Sequence, residues 1–109
     1  MTELELLHCI IDSLKDPLVY VDNDHVIRYA NKAAAANYAK WGDILNRSIF
    51  NCHNERSREI IRETYSALEQ GEDERLITDN EKHKVYMRAV RDKNGQLIGY
   101  YERYEPPHL

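Results

Sequence analysis

Apolar residues in the first fifteen positions recur at alternating three- and four-residue steps, as Leu4, Leu7, Ile11 and Leu14, with Leu6 and Ile10 widening the stripe. That period predicts an amphipathic helix. Thr2 and Glu5 stand in capping-box spacing at its start, and Asp16-Pro17 is expected to stop it. The period then shortens to two. Leu18 to Val21 and Val26 to Tyr29 are β-rich runs separated by Asp22, Asn23 and Asp24, which predicts a hairpin. Asn31 is placed to cap the alanine-rich KAAAANYAKW, a short helix whose Tyr38 and Trp41 are expected to bring bulk to the core.

Residues 42–53 carry no clean period and read as irregular chain or short helical turns. A long helix follows from about Asn54 to Gln70. Ile61, Tyr65 and Leu68 share one face, Ile60, Thr64 and Ala67 lie beside it, and Gly71 is placed to end it. The last third alternates strand and turn: ERLITD, KHKVYMRAVRD and QLIGYYERYE, with DKNG as the tight connection between the last two. The order helix, two strands, helices, three strands predicts an α+β fold built on one antiparallel sheet. Alternation groups Met87 with Val85 and Ala89 on one face and turns Arg88 to the other. Tyr86, Tyr100, Tyr101 and Tyr104 crowd the last two strands, so both faces of the sheet carry aromatic area.

The 109 residues suffice for one domain. With 42% apolar and 31% charged residues, the composition is that of a globular chain rather than a disordered one. No apolar run is long enough for a membrane span or a signal-peptide core, so the expected compartment is the cytoplasm. The two cysteines, Cys9 and Cys52, form no CxxC pair and fit a reducing environment. A net charge of −4, with basic and acidic residues interleaved, argues against nucleic acid as a partner. No GxSxG, Walker loop or HExxH occurs, and no residue set has the spacing that catalysis demands. The reading is therefore non-enzymatic, and no metal site is expected.

PLVYVDNDHVIRYANKAA resembles the opening hairpin and small helices of a PAS domain, with Asn31 where that family often carries asparagine. NRSIFNCHNERSREII and YMRAVRDKNGQLIGYYE are similar to PAS domains attached to hemerythrin-like domains in bacteria and archaea, in which a GRSVxNCHPPxS segment precedes the long helix. Asn46 replaces the glycine of that segment, and Asn tolerates left-handed geometry. Asn54-Glu55 replaces the proline pair. The resemblance implies a five-stranded antiparallel sheet with helices on one face and an N-terminal amphipathic helix. The expected boundaries are 1–15 for that helix, 16–105 for the PAS-like domain and 106–109 for a tail. It also implies a pocket between the sheet and the long helix, used to sense small molecules, redox state or light, or a role in dimerisation. YEPPHL stands where multidomain relatives usually continue into an output domain, so a separate output protein is expected.

Ile61 and Tyr65 should line the pocket from the helix, Val85 and Met87 from the sheet and Phe50 from the connecting segment, with Cys52 and His53 at its mouth. Cys52 invites comparison with the flavin-adduct cysteine of light-sensing PAS domains, but only Asn51-Cys52 survive of their NCRFLQ motif. His53 invites comparison with an axial haem ligand, although it stands before the helix rather than inside it. Haem and flavin thus remain possible without support from spacing, and the competing reading is a cap of the long helix by a side chain or backbone at 51–54, assigned to Cys52-His53. The stripe Leu4, Leu7, Ile11 and Leu14 is too short for a stable isolated coiled coil. It is expected to build a homodimer with the outer face of the sheet, including Tyr100 and Tyr104. A pure dimerisation module without ligand is the alternative function.

Overall fold

The computed structural model describes residues 1–107, apart from the Cys52 side chain. The end of the 106–109 tail and the role expected of the Cys52 thiol therefore lie outside the described residues. Helix α1 spans Glu3–Asp12. The Thr2 hydroxyl oxygen accepts from the Glu5 N–H at 3.1 Å, and its O–H donates to the Glu5 carboxylate at 3.1 Å. The helix closes at Ser13, before the Asp16-Pro17 break: the Ser13 hydroxyl donates to the Ile10 carbonyl at 2.6 Å and its N–H reaches back to the last turn. Strands β1 (Leu18–Asp22) and β2 (Ile27–Ala30) form the first hairpin, followed by α2 (Lys32–Asn37) and a 3₁₀ turn over Ala39–Trp41. A second 3₁₀ turn, Ile49–Cys52, precedes α3 (Glu55–Glu69), and β3 (Glu74–Asp79), β4 (Lys84–Arg91) and β5 (Leu97–Glu105) complete the chain.

The five strands form one antiparallel sheet in the order β2-β1-β5-β4-β3, so the last strand is central and pairs with the first. This is the α+β, PAS-like sheet the sequence predicts. Register decides the faces. Met87 pairs with Glu102, Ala89 with Tyr100 and Val85 with Tyr104, while Val19 and Val21 of β1 oppose Glu102 and Tyr100. This inner face packs under α2 and α3, where Ile27, Ala34, Ile49, Ile61 and Leu68 complete the core.

Two expectations change with that register. Tyr100 is fully buried and Tyr104 is half-buried on the inner face, so neither belongs to the outer surface assigned to a dimer. The outward tyrosines are their neighbours in the alternation. Tyr20, paired with Tyr101 across β1 and β5, lies near Tyr29 in the groove beneath α1. Trp41, expected in the core, is 47% exposed with Lys40 above its ring. Asn46 takes the left-handed φ of 63°, and Gly99 is required by close approach, because a Cβ there would collide with the Val21 carbonyl of the paired strand.

Asn31 joins three elements. Its side-chain oxygen accepts from the Ala34 N–H at 2.9 Å, capping α2, and from the Leu18 N–H at 3.0 Å, starting β1. Its amide donates to the carbonyls of Ile11 and Asp16, at 3.2 and 3.1 Å. The residue is fully buried and its polar capacity is used. Asn31→Ala would remove a cap and leave buried backbone groups unsatisfied, so a loss of about 3 kcal/mol or more is expected in urea denaturation. A loss of about 0.5 kcal/mol or less, the scale of a plain surface change, would contradict this role.

Candidate functional site

The start of α3 is set by Asn54, whose side-chain oxygen accepts from the Ser57 N–H at 2.9 Å. The Cys52-His53 cap is thereby corrected, since the backbone geometry that lets a short side chain reach the first turn falls one residue later. His53 turns the other way. Its Nδ1 lies 2.7 Å from the Ile49 carbonyl, and a carbonyl only accepts, so the proton sits on Nδ1. Burial lowers its pKa; the Ile49 bond opposes that shift and the Arg58 charge adds to it. Arg58 holds this segment by donating from Nε to the Phe50 and His53 carbonyls, each at 3.0 Å.

Between this end of α3 and the sheet lies a cavity of about 160 Å³. Ile60, Ile77 and Val85 form its apolar wall, and His53, Ser57, Thr78, His83, Glu102 and Tyr104 its polar one. Of the residues expected at the pocket, His53 and Val85 line it. Ile61 and Met87 are instead buried in the core. Phe50 and Tyr65 pack around His25, with ring centroids 5.0 and 4.7 Å from the imidazole. Tyr100 closes that cluster, its hydroxyl 2.9 Å from His25 Nδ1. The aromatic cluster fills space that the sequence reading left to a ligand, and the cavity lies toward β3 and the far end of β5. His25 escaped notice in the sequence because it reads as the end of a polar turn; its left-handed φ of 62° brings it inward.

Glu102 is the residue sequence reasoning missed. It is 2% exposed, and its Oε1 has no hydrogen-bond partner among the described residues. No group of three or more His, Cys, Asp or Glu among the described residues is spaced to hold a metal ion. No helix among them is long and apolar enough to cross a membrane.

A PAS domain family matches residues 7–105. The chain belongs to the PAS domain family. Solved structures agree on the fold. A C-terminal domain from Streptococcus mutans is 19% identical, with 96% of this chain and 85% of that one covered and a TM-score of 0.79. A PAS domain from Colwellia psychrerythraea is 14% identical, with 96% and 97% covered and a TM-score of 0.73. A sensory box sensor histidine kinase from Vibrio cholerae is 15% identical, with 94% and 90% covered and a TM-score of 0.69. Among curated proteins no match is found. PAS domains are generally sensory, non-catalytic modules, and no enzymatic family is indicated.

In this PAS domain, burial raises the Glu102 carboxyl to a pKa of about 7. An unfolded glutamate releases its proton near 4.3. Between those values the folded state holds a proton that the unfolded state has lost, so this residue's contribution to stability falls as pH rises through the window. His25 and His53, both lowered by burial, act in the opposite sense, because the unfolded state takes up their protons first on acidification. Comparison with Glu102→Gln isolates the carboxyl. Urea denaturation should find the variant more stable than the parent by on the order of 2–3 kcal/mol near pH 8, with most of that advantage gone near pH 5. An advantage that does not change with pH would contradict a buried, unpaired carboxylate.

Proposed function

We propose that this PAS domain is a sensory module that binds a compact small molecule in the cavity between the start of α3 and the sheet. The supporting observation is the cavity itself, whose wall carries a buried carboxylate with an unpartnered oxygen. A buried polar group without a partner costs free energy, and a resident ligand would supply the bond. At about 160 Å³ the site is close to the roughly 150 Å³ of a cavity that accepts benzene. It is smaller than the roughly 300–1,000 Å³ of sites for drug-sized ligands. Haem and flavin do not fit this volume.

Tyr104 offers a route for the signal, because it lines the cavity while its N–H donates to the Pro17 carbonyl at 3.1 Å. Pro17 lies between α1 and β1. An occupant that shifts Tyr104 would therefore act on the segment that carries α1. A separate output protein, of the kind the likeness to hemerythrin-linked PAS domains suggests, would read that change, in a reducing cytoplasm that suits the free, exposed Cys9.

Homodimerisation is part of the same proposal. Leu4, Leu7 and Ile11 face an apolar groove over Leu18, Tyr20, Tyr29 and Tyr101, yet Leu4 remains 65% and Leu7 47% exposed. Leu6 and Ile10, on the other side of α1, are about half exposed. A ten-residue helix with apolar area on two sides gains by association, and a second copy brings the same surface, which suits a symmetric contact.

Two measurements test the module. Amide NMR of the intact chain against small fragments of mixed charge should shift Ile60, Ile77 and Val85 selectively; fragments that leave all three unmoved would overturn the sensing role. Sedimentation should find a dimer at micromolar concentration and a monomer for the variant with Leu7 and Ile11 changed to Glu. A monomeric parent would remove the dimer from the account.

A further inference from the structure

We infer that the cavity selects a compact organic cation, a short alkylammonium ion whose N–H groups bond to Glu102 and whose carbon atoms lie against Ile60, Ile77 and Val85. The inference rests on the sensing role proposed for this cavity and adds the chemistry of its ligand. Glu102 sits at mid-strand in β5, between Val19 of β1 and Met87 of β4. Both neighbours are apolar and buried, so neither supplies a hydrogen bond or a countercharge.

The cavity wall formed by the described residues contains no lysine or arginine. Arg58, at the same end of α3, donates to two backbone carbonyls rather than to Glu102. Arg103 and Arg88 lie on the outer face, where both meet Glu74. His53 and His83 are the basic side chains on the wall, and neither bonds to Glu102 Oε1.

Charge then orders the ligand classes. An anion brought beside the buried Glu102 carboxylate adds repulsion, which is stronger there than between two fully solvated charges. A neutral alcohol donates one ordinary hydrogen bond. An ammonium ion donates charge-assisted hydrogen bonds, about twice as strong as neutral ones, and offsets the burial of the carboxylate. Ser57 and Thr78 bring hydroxyl groups to the wall, and hydroxyl oxygens accept from the remaining N–H groups; the Tyr104 hydroxyl is engaged with that of Tyr38. Size sets the other limit: a volume of about 160 Å³ accommodates roughly six non-hydrogen atoms, by comparison with benzene in a cavity of about 150 Å³.

Isobutylammonium, isobutanol and isobutyrate share a carbon skeleton and differ in charge, so they are the probes. Each is titrated into the intact chain at mildly alkaline pH, where Glu102 is ionised, and followed by the amide signals of Ile60, Thr78 and Val85. The ammonium ion should bind about tenfold or more tightly than the alcohol, and the carboxylate should not bind. In Glu102→Gln the preference for the ammonium ion over the alcohol should shrink to about twofold or less. Should that variant fail to fold, the ranking of the three probes on the parent decides alone. If isobutanol moves the cavity signals at the same concentrations as the ammonium ion, cation selection is overturned and the sensing role stands. If none of the three reaches the cavity, both are overturned.

Discussion

Four hydrogen bonds from one buried amide hold the elements of this domain in their relative positions. Asn31 receives the N–H groups of Leu18 and Ala34 and donates to the carbonyls of Ile11 and Asp16. One side chain thus fixes where β1 begins, where α2 begins and how the chain leaves α1. Asp12 adds to the same junction, accepting from the Tyr29 hydroxyl at 2.8 Å and the Lys32 N–H at 3.1 Å. Burial and the Asp12 carboxylate push the Tyr29 phenol up to about 12. Without these bonds α1, which has no buried residue of its own, would have little to hold it to the sheet.

The consequences run outward along the strands. Starting β1 at Leu18 sets Val19 against Glu102 and Val21 against Tyr100, which puts a carboxylate among mostly aliphatic and aromatic buried side chains. Tyr100 is buried beside His25, and its phenol is raised well above the ordinary range by burial and then by the Glu102 charge. The inner face is consequently solid at the His25 end and hollow at the Tyr104 end. That division, rather than the NCH segment alone, determines where the cavity lies.

Strong local patterns were legible in the sequence. The ERLITD strand occupies Glu74–Asp79, and α3 fills the span expected of it because Asn54 caps one end and Gly71, at φ 109°, follows the other. The faces of β5 were harder to read. Residues 100, 102 and 104 include one charge, whereas 101, 103 and 105 include two, so parity favoured an inward Tyr100; the aromatic crowding hid it. Glu102 broke the rule that a charge marks the solvent face, and no local pattern reveals that the hairpin register pairs it with Met87. Among candidate ligand residues, His53 belongs to the cavity because its mouth is close in sequence to the start of α3, and Val85 because strand alternation turns it to the inner face of β4. Thr78 and His83 come from the β3–β4 hairpin, and only tertiary structure brings them there.

The state of the Glu102 carboxyl bears most directly on this account. A carboxyl-carbon NMR titration of glutamate-labelled protein, assigned by comparison with Glu102→Gln, reports that group alone. The midpoint should lie near 7 in the free protein and fall when isobutylammonium occupies the cavity, because a cation beside the carboxylate favours its charged form. A midpoint near 4.5, the ordinary value for glutamate, would mean that Glu102 is solvated or already paired, and would contradict the account of a buried, unpartnered carboxyl on the cavity wall.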